Sequence, residues 1–189
     1  MSLHIRPAQT FDALFAAPLI QEAIGNIGRQ LTGTDNDEDA AHVIAQFFGL
    51  RGNRLSFTNA LIAELGSRPV GIALAYPGEL AQALDDPFRQ HRASLGLTPE
   101  VVSEAEAGEF YLDTLATVAA ARGQGVGAAL IAACGERARA LGLPLTLLVE
   151  DGNPARRLYE RSGFVPAGEA FIAGHRYERL VLQATTSEL

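Results

Sequence analysis

Apolar residues recur along this chain with two periods, and the switches between them mark out a row of elements. Leu3 to Pro7 reads as a short opening strand. Ile20, Ile24, Ile27 and Leu31 then recur at helical spacing, as do Ala40, Val43, Ile44, Phe47 and Phe48. Between them the polar stretch Thr34-Asp35-Asn36-Asp37-Glu38-Asp39 predicts a loop and a helix start. Ala60 to Leu65 and Val70 to Tyr76 flank Gly66-Ser67-Arg68-Pro69, the pattern of a hairpin with a four-residue turn.

From Pro77 to Gly108 the pattern dissolves. Asp85, Asp86, Arg89, His91, Arg92, Glu100, Glu104 and Glu106 stand among scattered leucines, and two short helices broken near Gly96-Leu97-Thr98-Pro99 fit the stretch. It is too short to hold a core of its own, which makes it an insertion between strands. Glu109 to Val118 reads as a strand and Gly125 to Leu141 as a helix closed by Gly142. Leu145 to Glu150 is continuously apolar, as expected of a strand covered on both faces. Asn153-Pro154 opens a further helix, cap then proline, and Gly163 ends it. Phe164 to Phe171 and His175 to Leu182 complete a last pair of strands. The order predicts an α+β fold: one domain over residues 1–189, with a central mixed sheet of about seven strands flanked by helices and a helical insertion at 77–108.

Composition narrows the function. Nearly half of the 189 residues are hydrophobic, enough for a core without disulfide or metal staples. The single cysteine, Cys134, lies in a helical apolar pattern and reads as core packing rather than a nucleophile. A net charge of −7 argues against nucleic acid, whose phosphates need a clustered basic surface. No apolar run reaches the roughly 18 residues of a membrane span, and Met1 to Arg6 lacks the regions of a signal peptide. The expectation is a cytoplasmic protein with no membrane partner. His4, His42, His91 and His175 show no metal spacing, so no metal is expected. The oligomeric state, a homodimer included, is left open.

The chemistry concentrates in Leu112 to Val118 and the turn Arg122-Gly123-Gln124-Gly125-Val126-Gly127 that follows. A glycine-rich turn opening a helix presents unpaired backbone N–H groups and the positive end of the helix dipole, a site for pyrophosphate. Gly123 to Ala128 also satisfies the dinucleotide pattern G-x-G-x-x-G/A, with Glu150-Asp151 after the next strand. Against a nicotinamide-dependent oxidoreductase, the glycines begin several residues past the strand's apolar run, and the acidic pair lies beyond the usual spacing of about 20 residues. Only 38 residues follow Asp151, too few for the rest of a doubly wound sheet.

Asp113 to Gly127 resembles the acyl-CoA motif of the GCN5-related N-acetyltransferase (GNAT) superfamily, Arg122 to Gly127 matching R-x-x-G-x-G/A in full. Asn153, Ala155, Leu158-Tyr159-Glu160 and Gly163-Phe164 match that superfamily's N-x-A-x-x-L-Y-E-x-x-G-F segment, with Arg156 and Arg157 at its two free positions. The element order agrees from Leu3 to about Gln183. The insertion and Ala119, where proline is frequent, depart from the pattern.

The resemblance implies acetyl-CoA as acyl donor, its pantetheine arm lying between two splayed strands. Leu115, Ala116 and Thr117 would pair with the arm's amides through their backbone, and an N–H in this stretch would polarise the thioester carbonyl. Gly123, Gln124, Gly125, Val126, Gly127 and Ala128 would cradle the pyrophosphate. Arg122 either adds charge there or is a solvated helix-start arginine. Asn153 bonds the cofactor, caps its helix, or does both. Tyr159 falls where family members place a general acid for the departing thiolate; its bland reading is packing beside Phe164. By strand alternation Asp113 shares a face with Tyr111 and Thr117, where some members carry a glutamate used as base. Its bland reading is an edge aspartate satisfied by backbone. Glu109 has the same parity but sits further from the thioester.

The implied activity is direct acetyl transfer to a primary amine of a small molecule or peptide; the alternative is a non-catalytic acyl-CoA-binding or regulatory module. Asp35, Asp37, Glu38 and Asp39 read either as a solvated helix start or as negative potential steering an ammonium. The insertion is expected to form a lid or wall over the acceptor pocket.

Overall fold

The computed structural model describes residues 2–172 and 174–183; Met1, Ala173 and residues 184–189 of the expected 1–189 span lie outside the described residues. The strands are β1 (Leu3–Pro7), β2 (Ala60–Leu65), β3 (Arg68–Pro77), β4 (Phe110–Thr117), β5 (Leu145–Glu150), β6 (Val165–Ile172) and β7 (His175–Leu182). They form one sheet in the order β1-β2-β3-β4-β5-β7-β6, in which β4 and β5 run parallel and the other neighbours antiparallel. This mixed sheet is the expected α+β arrangement and is not a doubly wound dinucleotide fold. The helices are α1 (Ala13–Ile24), α2 (Asn26–Thr32), α3 (Asp37–Phe48), α4 (Ala81–Ser94), α5 (Val126–Ala140) and α6 (Arg156–Arg161).

Three local expectations give way. The periodic run from Ile20 to Leu31 is two helices, because Gly25 takes φ 49°, outside the helical region, and ends α1. Leu65 pairs directly with Arg68, so the hairpin turn is Gly66-Ser67 and two residues long. The insertion holds one helix of regular length, α4, followed by a stretch from Pro99 to Glu106 without helix or strand. α4 runs through Pro87 although that residue has no N–H to give the preceding turn.

The sheet carries a core on each face. On one, α5 contributes Val126, Leu130, Ile131, Cys134 and Ala138 against Ala73, Ala75, Leu112, Leu147 and Leu180. Burial pushes the Cys134 thiol up to about 12, which keeps it protonated and unreactive. The other face is covered by α1 to α4: Ile20, Leu31, Ile44, Phe48 and Phe88 pack on Ile62, Ile72 and Leu74. Phe88 of the insertion is fully buried and stacks on Phe47 with ring centroids 4.2 Å apart. The insertion is thus part of the core. Asn36 caps α3 by accepting the Asp39 N–H at 2.9 Å, and Asp37, Glu38 and Asp39 stand in the first turn, where the helix dipole favours them. Among the described residues no helix is long and apolar enough to cross a membrane.

Candidate active site

β4 and β5 pair only at Phe110–Leu145 and Tyr111–Thr146, then part. Beyond that fork Leu115, Ala116 and Thr117 line a cavity of about 1010 Å³, together with Arg122, Gly123, Gly125, Val126, Gly127 and Ala128. Asn153, Leu158 and Tyr159 close its far wall, and Glu22 of α1 stands at its rim. The structure therefore brings together ten of the predicted cofactor residues on one surface. Gln124, the eleventh, is not on that surface: its side-chain amide donates to the Ala120 carbonyl at 2.8 Å and braces the turn.

Local chemistry explains the turn. Gly125 holds the N-cap of α5 with φ 79°, a left-handed conformation that disfavours any side chain. The first bond of the helix runs from the Ala129 N–H to the Gly125 carbonyl at 3.0 Å. The N–H groups of Val126, Gly127 and Ala128 precede any intrahelical acceptor and stay free for an anion. A Cβ on Gly127 would come within 2.8 Å of Leu158 Cδ2, so α5 and α6 approach closely there. Arg122 donates to Glu22 at 2.8 Å, and both side chains are well exposed.

Backbone direction along β4 changes part-way. The Phe110 N–H bonds the Pro144 carbonyl, on the β5 side, at 2.9 Å, whereas the Val118 N–H bonds Val70, on the β3 side, also at 2.9 Å. Two residues of equal parity cannot point to opposite edges of an unbroken strand. The register supplies the reason: Thr114 faces Leu74 and Leu112 faces Ala75, so Asp113 is an extra, bulged residue. Beyond it the polar backbone groups of Leu115 and Thr117 point into the fork.

This bulge corrects the alternation argument for Asp113. Phe110, Leu112 and Leu115 all face the α5 core, so Thr117 shares that face while Tyr111 and Asp113 lie on the other. The Asp113 carboxylate is 1% exposed and accepts from Arg54 Nε at 2.8 Å, Arg54 Nη2 at 2.6 Å and Tyr76 Oη at 2.7 Å. Its other oxygen takes the Thr114 hydroxyl at 3.0 Å. It is not among the residues lining the cavity. Glu109 is likewise engaged, accepting Arg179 Nη1 on both oxygens at 2.8 and 2.9 Å.

Tyr159 lies in the cavity wall and packs edge-on to Phe164 with centroids 5.9 Å apart. Burial pushes its phenol up to about 12, which keeps it protonated at neutral pH. Asn153 accepts the Ala155 N–H on Oδ1 at 2.9 Å, bracing the turn before α6 and leaving its NH₂ group over. Arg54 was not anticipated. In the sequence it is one more arginine in a polar loop, and only its burial marks it.

A model described as the acetyltransferase (GNAT) family matches residues 27–164. The chain belongs to this family. It is an acyltransferase, and the family uses acetyl-CoA. No curated protein matches it. Among solved structures it is similar to an N-acetyltransferase from Staphylococcus aureus Mu50, with 23% identity, a TM-score of 0.82, and 95% of this chain and 100% of that one covered. It is also similar to a structure described as an acetyltransferase, with 28% identity, a TM-score of 0.77, and 96% and 99% covered.

Proposed function

We propose that this acetyltransferase moves an acetyl group directly from acetyl-CoA to a primary amine of a small molecule or peptide. The observation that carries the reading is the fork: β4 leaves β5 after Tyr111, just where its edge N–H and C=O groups need new partners. A pantetheine arm has amides at a spacing able to take the place of a strand. Leu115, Ala116 and Thr117 hold that arm, and the turn from Gly123 to Ala128 takes the pyrophosphate on the N–H groups of Val126, Gly127 and Ala128. Arg122 supplies charge beside them, and the Asn153 NH₂ group donates to the cofactor. Tyr159 protonates the departing CoA thiolate. Asp113 is buried against Arg54, Tyr76 and Thr114 and does not line the cavity, so the amine's proton leaves through water.

Acceptor charge fits the same reading. Glu22, Asp37 and Glu38 line a second cavity of about 550 Å³ between α1 and α3, and Glu22 also lines the first. Glu22 and Asp37 are paired with Arg122 and Arg29, so the pull on an ammonium approaching this side comes from Glu38. The test is thiol release from acetyl-CoA across a panel of amines, peptides and aminoglycosides. Acceptor-dependent release supports direct transfer. Acetyl-CoA binding with no release for any acceptor would favour an acyl-CoA-binding module.

A further inference from the structure

Arg54 is the one basic residue buried in the described residues, and four segments converge on it. Its guanidinium meets Asp113 of β4 as given above, Glu104 of the insertion at 2.7 Å and Asp85 of α4 at 3.5 Å. Tyr76 of β3 completes the ring through Asp113, and Tyr111 donates to the second oxygen of Glu104 at 2.9 Å. Side chains of Arg54, Asp85, Glu104 and Asp113 are 2, 2, 8 and 1% exposed. The loop bearing Arg54 is itself fixed: its own N–H bonds Leu84 at 3.1 Å and Asn53 bonds Phe47 at 2.8 Å.

What this costs the fold is large, since each buried charge gives up its hydration. Hydrophobic residues of the same volume would pack as well. The gain lies in register. Asp113 is the extra residue of the β4 bulge. Were the bulge to form one residue earlier, the Asp113 carboxylate would turn toward Ala73, Ala75 and α5, an apolar core with no cation for it. Arg54 would then be left facing empty space among two further carboxylates. The observed frame satisfies the pair, and the earlier one would bury it unpaired. With the extra residue held there, Leu115 and Thr117, which follow it, turn toward the fork. In an unbroken strand, the residues oriented like Phe110 would be Thr114 and Ala116 instead.

Resting on the acetyl-transfer reading above, we infer that Arg54 is a positioning residue: through Asp113 it locks the β4 bulge in the frame that presents the Leu115 N–H to the thioester carbonyl. The insertion takes part because Glu104 and Asp85 hold the far side of the guanidinium. Its contribution to the reaction runs through this cluster, and none of its residues lines the cofactor cavity.

The test uses the whole chain with acetyl-CoA labelled with ¹³C at the thioester carbonyl. Wild type is measured first, and failure to bind acetyl-CoA or release thiol overturns the acetyl-transfer reading and this inference with it. Given binding, the carbonyl stretch should move to lower wavenumber in wild type. Arg54→Lys and Asp113→Asn should lose that displacement and lower kcat by about 10²-fold, the usual effect of losing one such donor. Acetyl-CoA Kd should stay within about threefold, since the pyrophosphate turn is untouched. The alkaline rise of the pH–rate profile should persist in Asp113→Asn; its disappearance would make Asp113 the base and overturn the positioning role. Tyr76→Phe removes one donor to Asp113 with little change in volume and covers the case in which the first two variants fail to fold. It should lower kcat several-fold and shrink the displacement. A folded variant that keeps the full displacement and wild-type kcat, while losing only Tm, would reduce the cluster to a purely structural role.

Discussion

The glycine turn and the Arg54 cluster lie at either end of the same short run, from Asp113 on β4 to Ala128 on α5, and they treat charge in opposite ways. The turn is built almost without side chains. Its donors are backbone N–H groups of Val126, Gly127 and Ala128, open to a cavity of about 1010 Å³. The cluster is built entirely of side chains, closed to solvent, with each carboxylate already bonded. An anion arriving from water completes the first. The second is complete before any ligand comes. Binding and alignment are thereby assigned to different physical devices, and β4 joins them.

That division is open to direct attack. Arg54→Met should be the most damaging single change in the molecule. It leaves Asp85, Glu104 and Asp113 together without a cation, and breaking a buried pair in this way costs about 3–5 kcal/mol. Urea unfolding followed by circular dichroism measures it. Wild-type stability in this variant would mean that the carboxylates simply take up protons, and the cluster would not be the tightly specified region described here.

In the cleft the largest effect should be catalytic. Tyr159→Phe keeps the ring against Phe164 and removes the proposed proton donor. It should lower kcat by about 10²–10⁴-fold with acetyl-CoA Kd unchanged, as general acids typically contribute. Stopped-flow thiol release separates the two quantities. An unchanged kcat with chemistry rate-limiting would hand protonation of the thiolate to water.

Gly127→Val should have a smaller and different effect. The new side chain presses on the flexible end of Leu158 and covers the free N–H groups, so acetyl-CoA Kd should rise about tenfold while the fold survives. The shift in Tm produced by saturating acetyl-CoA reports this directly. Loss of stability without loss of affinity would show that the glycine serves helix packing alone.

These two regions were not equally legible in the sequence, and the difference has a physical cause. The turn announces itself because its parts are contiguous: three glycines at alternate positions and an arginine lie within six residues. Backbone chemistry of this kind leaves a local signature. The cluster draws Arg54, Tyr76, Asp85, Glu104 and Asp113 from sites up to 59 residues apart, and each alone reads as a surface polar residue. The bulge did leave a trace. Phe110 and Leu112 are apolar at even positions and Leu115 at an odd one, a break in period that strict alternation for Asp113 passed over. Similarly, Gly25 sits inside the periodic run that was read as one helix. The sheet and its seven strands followed from periodicity, whereas the packing of the insertion depended on Phe88 meeting Phe47, a contact no spacing rule encodes.

The subtlest consequence is in the pH dependence of stability, where the buried cluster can be set against a second ion pair at the sheet edge. Burial tends to raise the Asp12 carboxylate. Two hydrogen bonds from Arg6 at 2.8 Å and the Gln9 N–H at 2.7 Å more than offset this and bring it below its ordinary 3.8. A lowered folded pKa means stability present above the unfolded value and lost as pH falls through the folded one. Asp85 and Glu104 behave in the opposite sense. Burial raises both above their ordinary 3.8 and 4.5, and attraction to Arg54 only partly offsets it, with Asp113 adding repulsion. Their native forms hold protons that the unfolded chain has released, so stability is fully present below those ordinary values and declines as pH rises through the folded ones. Tm should therefore fall on both sides of a maximum near the ordinary carboxylate range. Glu104→Gln, which imitates the protonated acid beside Arg54 and Tyr111, should flatten the decline on the alkaline side, and Asp12→Asn should flatten the acid side. Each kcal/mol involved moves Tm by roughly 2–4 °C in a chain of this size, within reach of calorimetry from pH 3 to 8. If the Glu104→Gln profile still falls across the alkaline window, the retained proton belongs to Asp85, and the same scan on Asp85→Asn decides it.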